Sequence, residues 1–198
     1  MDPSTTQYKT FRKHLGQFVS ITDEDFARVL GYFKIKKLKK NRVLIRVGDL
    51  VTHTFWVQKG MLMSTYVDKN GKDHVIQFAF EDCWVTDQNA FYNKEKSMFT
   101  IVALEDSEML SISFDDRERV CADIHKMETF FRRKANDSFA KQQKRLLTYL
   151  TADARTRLDL VLSEYPSQVK RLSKKVLAAY LGVSRETLSR PLKLKVKS

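Results

Sequence analysis

The stretch Met61–Phe80, MLMSTYVDKNGKDHVIQFAF, decides the architecture. Strand-forming Val, Ile, Tyr, Phe and Thr flank Asn70-Gly71, a pair that readily supplies the positive φ angles of a tight hairpin. Two strands joined at that pair are expected. From Val43 to about Ile112 the same pattern continues, as short runs rich in Val, Ile, Phe and Thr cut at Gly48-Asp49, Lys59-Gly60 and Asn70-Gly71. Strands recurring at intervals of about ten residues predict a sandwich or barrel, the ligand-holding half of the chain.

Upstream, the periodicity is helical. In Thr22–Phe33, TDEDFARVLGYF, Thr22 is a candidate N-cap, acidic residues follow it, and Phe26, Val29, Leu30 and Phe33 recur at helical spacing. Between helix and strands lies KIKKLKKNR, Lys34–Arg42, whose six basic residues read as a solvated connector.

Downstream of Phe114 the helical pattern returns. A short helix is expected over Asp115 to about His125 and a long one from Met127 to about Leu150. The long helix carries one apolar stripe, Met127, Phe131, Ala135, Phe139, Leu146 and Leu150, interrupted by Gln143. A helix joining two domains has little core to lie on, so Met127, Phe131, Ala135 and Phe139 are candidates for contact with a second copy. Helix continues over Ala152 to Leu162, and Tyr165-Pro166 ends it.

The 198 residues allow two small domains, and 42% of them are hydrophobic, enough for a core. No run approaches a membrane span, and MDPSTTQYKTFRKH lacks a signal peptide's apolar stretch, so a soluble, cytoplasmic protein with no membrane partner is expected. Cys83 and Cys121 are too few and too far apart for a thiolate-held metal site and read as packing residues. The net charge is +12, and about +10 of it falls in residues 138–198, where fourteen Lys or Arg face four acidic residues. Clustered positive charge beside a near-neutral segment suits a polyanion-binding module.

Within that basic segment the order SKKVLAAYLG, a turn at Gly182-Val183, then SRETLSR has the layout of a helix-turn-helix. Val176, Leu177, Tyr180 and Leu181 give the first helix an apolar face, Ala178 allows close crossing, and Leu188 would pin the second helix. Arg185, Glu186, Ser189 and Arg190 then point outward. Arg suits guanine and a carboxylate suits cytosine in the major groove of double-stranded DNA. Ser184, Thr187, Ser189, Lys174 and Lys175 are candidates for phosphate contacts that fix register. Pro191 removes a helix hydrogen bond, so the second helix is expected to stop or bend near Arg190.

A rival enzymatic reading, a metal-dependent double-stranded β-helix, needs convergent His ligands. The β region offers only His53 and His74, with no His-x-His spacing, and no enzyme or metal site is expected. The other alternative is a small-molecule-binding β-roll that has lost DNA binding, suggested by Pro191.

With these motifs in view, the chain resembles the Crp/Fnr superfamily of bacterial transcription regulators over nearly its whole length. The resemblance is sharpest at SRETLSR; VGD, VQKG, the Asn70-Gly71 hairpin and ALEDSEMLSI add to it. It implies an α+β chain: N-terminal helices and a cyclic-nucleotide-binding-type β-roll or jelly-roll sensory domain (1–114), a long dimerisation helix (115–150) and a winged helix-turn-helix (151–198). It further implies a homodimer that binds DNA, with Arg185, Glu186 and Arg190 as base readers, RNA polymerase as a partner and a small-molecule effector. In members that bind cyclic AMP, Gly-Glu and, about ten residues on, Arg-Ser cradle the phosphate and ribose. Here Thr86-Asp87 and Lys96-Ser97 stand in those places. Lys lacks the bidentate fork and Thr blocks close backbone approach, so cyclic AMP is not expected as ligand, and no cofactor is assigned. Two cysteines cannot hold an iron-sulfur cluster, and His53, His74 and His125, which could each ligate a haem, read as ordinary polar residues.

Overall fold

A computed structural model describes residues 6–183 of the chain. Helices α1 (Thr6–Gly16) and α2 (Asp23–Gly31) precede eight strands: β1 (Lys34–Leu38), β2 (Val43–Ile45), β3 (His53–Lys59), β4 (Leu62–Val67), β5 (Asp73–Ala79), β6 (Trp84–Val85), β7 (Thr100–Ala103) and β8 (Ser107–Ser113). Helix α3 (Gln88–Asn93) interrupts the strands, and α4 (Phe114–Asp123), α5 (His125–Thr151), α6 (Ala154–Glu164), a 3-10 turn (Val169–Arg171) and α7 (Lys174–Leu181) follow.

The strands form two antiparallel four-stranded sheets, ordered β1-β8-β3-β6 and β2-β7-β4-β5. Side chains of successive residues alternate between faces, and this alternation separates the cores. Phe55, Val57 and Met109 from the first sheet meet Ile45, Leu62, Ala79 and Ile101 from the second, with Ala90 and Phe91 of α3 closing the same cluster. On the opposite face of the first sheet, Trp56, Leu110 and Ile112 pack with Phe11, Phe26, Val120, Met127 and Phe130 of the flanking helices. The second sheet turns Val75, Phe78 and Phe80 to a third cluster, reached by Tyr165, Val176 and Tyr180.

Local chemistry explains the element boundaries. Thr22 caps α2, its hydroxyl accepting from Asp25 N–H at 3.1 Å, and Phe26, Val29 and Leu30 are buried. Of the stretch read as a basic connector, Lys34–Leu38 is strand β1, paired with β8 from Lys34↔Ser111 to Leu38↔Ser107, and residues 39–42 form the turn after it. Its lysines remain exposed because β1 lies at a sheet edge, where charge deters pairing with another chain. The β4–β5 hairpin also differs from the expectation: Asp68 N–H donates to the Lys72 carbonyl and Gly71 N–H to the Asp68 carbonyl. That pattern encloses Lys69, Asn70 and Gly71, and of these only Gly71 has positive φ, at 77°. It is a three-residue loop with a glycine bulge rather than a two-residue turn.

Candidate functional site

The effector-cassette residues are drawn together, but by one another. Asp87 is the N-cap of α3, its Oδ1 accepting from Ala90 N–H at 3.2 Å. Its Oδ2 accepts from Met98 N–H at 3.0 Å and lies 3.0 Å from the Ser97 hydroxyl. Asp87 and Ser97 are 1% and 3% exposed, so the bond between their side chains is closed to solvent, while Met98 beside them is 52% exposed. Thr86 donates its hydroxyl to the His53 carbonyl at 2.9 Å. Lys96 is exposed, beside Leu50 across an isolated bridge. The carboxylate of Asp87 thus takes up the donors that an anionic ligand would otherwise seek.

Two cavities stand out among the described residues. One of about 180 Å³ is lined by Asp49, Thr52, His53 and Phe55 among others. The other, about 290 Å³, lies between β5, α5 and α7, lined by His74, Arg145, Tyr149 and Tyr180 among others. Thr86, Asp87, Lys96 and Ser97 line neither.

The histidines are dispersed in role. His53 Nδ1 lies 2.8 Å from the Thr52 hydroxyl, and burial, with Lys34 adding, lowers its pKa. His74 pairs with Asp68 at 2.8 Å, and His125 is exposed. Sequence reasoning passed over His14, which is buried in an aromatic cluster: Trp84 Nε1–H donates to its Nε2 at 3.0 Å, and Asp82 Oδ1 lies 2.6 Å from its Nδ1. Among the described residues no group of three or more His, Cys, Asp or Glu is placed to hold a metal.

The stripe on α5 divides in two. Met127 and Phe131 are 0% and 7% exposed, packed into the chain's own helical core, so these two candidates for contact with a second copy are turned inward. Ala135 and Phe139 are exposed, Phe139 at 65%, and Leu146 and Leu150 continue the apolar face in solvent. The difference is one of cover. The first two turns of α5 lie against the first sheet and its helices, and the later turns run past them.

At the basic end, Ser173 caps α7, accepting from Val176 N–H at 3.3 Å, and Gly182 ends it in the left-handed region with φ 69°. Leu177, Ala178 and Leu181 are buried, and Lys174 and Lys175 are exposed. Ser184, Arg185, Glu186, Thr187, Leu188, Ser189, Arg190 and Pro191 lie outside the described residues. The helix also has a second contact that the sequence did not announce. Tyr180 packs on Phe78 of β5 with ring centroids 4.8 Å apart, and Arg145 of α5 stacks over Tyr180 at 4.5 Å. Arg171, just before α7, binds Glu81 and Glu105 of the roll.

Residues 35–123 match the cyclic nucleotide-binding domain family. No curated protein matches the chain in sequence. Among solved structures, the catabolite activator protein of Thermus thermophilus is similar at 20% identity, with 89% of this chain and 84% of that one covered and a TM-score of 0.57. The c-di-GMP-responsive global regulator CLP of Xanthomonas campestris gives 14% identity, 85% and 89% coverage and a TM-score of 0.69. A CooA mutant from Carboxydothermus hydrogenoformans gives 18% identity, 82% and 75% coverage and a TM-score of 0.64. The fold is therefore Crp/Fnr-like, and the matched domain family is one of ligand binding rather than catalysis. Among the described residues no helix is long and apolar enough to cross a membrane.

Proposed function

We propose that the chain is a sequence-specific, DNA-binding transcription regulator acting as a homodimer in the cytoplasm. The observation that carries this reading is α7 on a Crp/Fnr-like fold: capped by Ser173, closed by left-handed Gly182, and presenting Lys174 and Lys175 to solvent. In this reading Arg185, Glu186 and Arg190 read bases, while Ser184, Thr187, Ser189, Lys174 and Lys175 fix register on phosphates. The exposed apolar turns of α5, from Ala135 and Phe139 to Leu150, carry the dimer contact. RNA polymerase is the partner through which a bound dimer would act.

The effector is not cyclic AMP in this reading. An anionic phosphate brought to the cassette would meet the buried Asp87 carboxylate, whose charge already uses the local donors. Any small-molecule effector of the roll, whether it reaches Thr86 and Lys96 or one of the two cavities, is of other chemistry. Calorimetric titration with cyclic AMP should show no binding at micromolar concentration, and heat of binding there would overturn the assignment.

The decisive experiment is selection of bound duplexes from a random pool. Paired half-sites about 34 Å apart, one helical turn, are expected of a two-fold helix-turn-helix dimer. Recovery of no enriched sequence would favour the alternative, a small-molecule-binding roll without DNA binding. Pro191→Ile should tighten binding to the selected site if the proline weakens the reading helix, within the roughly 3 kcal/mol cost of an interior proline.

A further inference from the structure

Arg171 is held by four bonds to two carboxylates of the roll. Its Nη1 and Nη2 reach Glu81 Oε2 and Oε1 at 2.8 and 3.0 Å, a fork-on-fork pair, and its Nε reaches Glu105 Oε1 at 3.0 Å while Nη2 also bonds Glu105 Oε2. Glu81 is fixed from the other side by Gly60 N–H at 2.9 Å. Gly60 has φ 99°, and a Cβ there would lie 2.7 Å from the Asp106 carbonyl, so this backbone donor requires glycine. The Glu81 carboxylate is thus preset, and the arginine docks onto it and bridges to Glu105.

The location matters as much as the geometry. Arg171 precedes the α7 cap by two residues, within the run Lys170, Arg171, Lys174 and Lys175. Lys170, Lys174 and Lys175 are exposed with no roll carboxylate on them among the described residues, and Arg171, whose side chain is 31% exposed, commits its guanidinium to the carboxylates of the roll. Guanidinium recognises carboxylate and phosphate with the same bidentate fork. The edge of α7 offered to DNA therefore lies beside two negative charges that bind one of its own cations.

We propose that Glu81 and Glu105 are an internal phosphate mimic, an autoinhibitory contact that holds Arg171 away from DNA until backbone phosphates compete for it. The inference rests on the DNA-binding reading above. In the docked state Arg171 is unavailable and the carboxylates repel the duplex. In the released state Arg171 adds one phosphate contact. Apparent affinity is then the intrinsic affinity reduced by the released fraction.

The test is fluorescence anisotropy with a random-sequence DNA duplex across a salt series. Glu81→Gln/Glu105→Gln, in which the carboxamide at position 81 retains an acceptor for Gly60, should bind about five- to tenfold tighter at low salt. Glu105→Gln alone should gain part of this and serves if the double variant folds poorly. Arg171→Ala should bind more weakly than wild type, with a log K against log salt slope shallower by roughly 1. In the Arg171→Ala background most of the carboxamide gain should vanish. An equal gain in that background would reduce the carboxylates to simple repulsion and overturn the mimic, as would carboxamide variants that bind no better than wild type. If wild type binds the duplex without a carboxamide gain, this inference falls alone. If neither wild type nor any variant binds DNA, the DNA-binding reading falls with it.

Discussion

Replacing Asp87 with Ala removes the α3 cap and the acceptor of the Met98 amide, while the Ser97 hydroxyl keeps the Phe99 carbonyl as a partner. A lost cap costs about 1 kcal/mol and one amide left unpaired about 1 to 3, so the combined loss should be about 2 to 4 kcal/mol in denaturant unfolding. Asp87→Asn, which keeps an acceptor, should lose less. Equal stability for Asp87→Ala and wild type would mean that the network is not closed. Cys121 allows a second measurement: burial, against the pull of Arg117 and with Glu128 adding, pushes its thiol up to about 12. Burial also raises Cys83. Since the thiolate is the nucleophile, iodoacetamide at neutral pH should label both cysteines far more slowly in the folded protein than in guanidine. Full-rate labelling of Cys121 in the native state would contradict that environment.

Helix α5 shows what a sequence reveals of an element and what it does not. Met127, Phe131, Ala135 and Phe139 share one helical stripe, and the stripe itself was readable from spacing. What covers each turn depends on where the first sheet and its helices end, which is a three-dimensional matter absent from the periodicity. Phe139→Asp with Leu150→Asp should therefore convert a dimer to a monomer in sedimentation while the fold persists, because both side chains are in solvent in the isolated chain. Phe131→Asp should unfold the protein instead, since it places a charge in the core. A wild-type monomer at micromolar concentration would end the dimer proposal. The same limit explains β1: Lys34–Leu38 has the composition of a solvated linker, and only its partner β8 makes it a strand. By contrast, the Thr22 cap and the α7 end at Gly182 were legible, because caps are local chemistry. Glu81, Glu105 and Arg171 were not, since nothing in their own neighbourhoods marks three residues so distant in sequence as partners.

At the scale of the whole molecule, the helical unit is seated on the roll rather than strung from it. Phe78 of β5 is 9% exposed, covered in part by Tyr180, while Phe80 meets Tyr165 at 5.5 Å between ring centroids. Arg145 of α5 donates to the Ile76 carbonyl of β5 and stacks on Tyr180, so one side chain ties strand, long helix and α7 together. Among the described residues the core of this unit, α6 to α7, is small: α6 has no buried residue, and the buried set of its cluster is Val169, Leu177 and Leu181. Such a unit draws much of its stability from the surface on which it sits, and its unfolding should be coupled to that of the roll. Wild type should therefore melt in a single calorimetric transition whose measured enthalpy agrees with the van't Hoff enthalpy for a dimer unfolding to two chains. Phe78→Ala removes the ring under Tyr180 at a cost of about 3 kcal/mol or more. It should split the transition, the helical unit losing hydrogen-exchange protection at a lower temperature while β3 and β8 keep theirs. Two resolved transitions already in wild type would mean that the seat contributes little. Arg171 would then be released most of the time, and the carboxamide gain in DNA affinity should be correspondingly small.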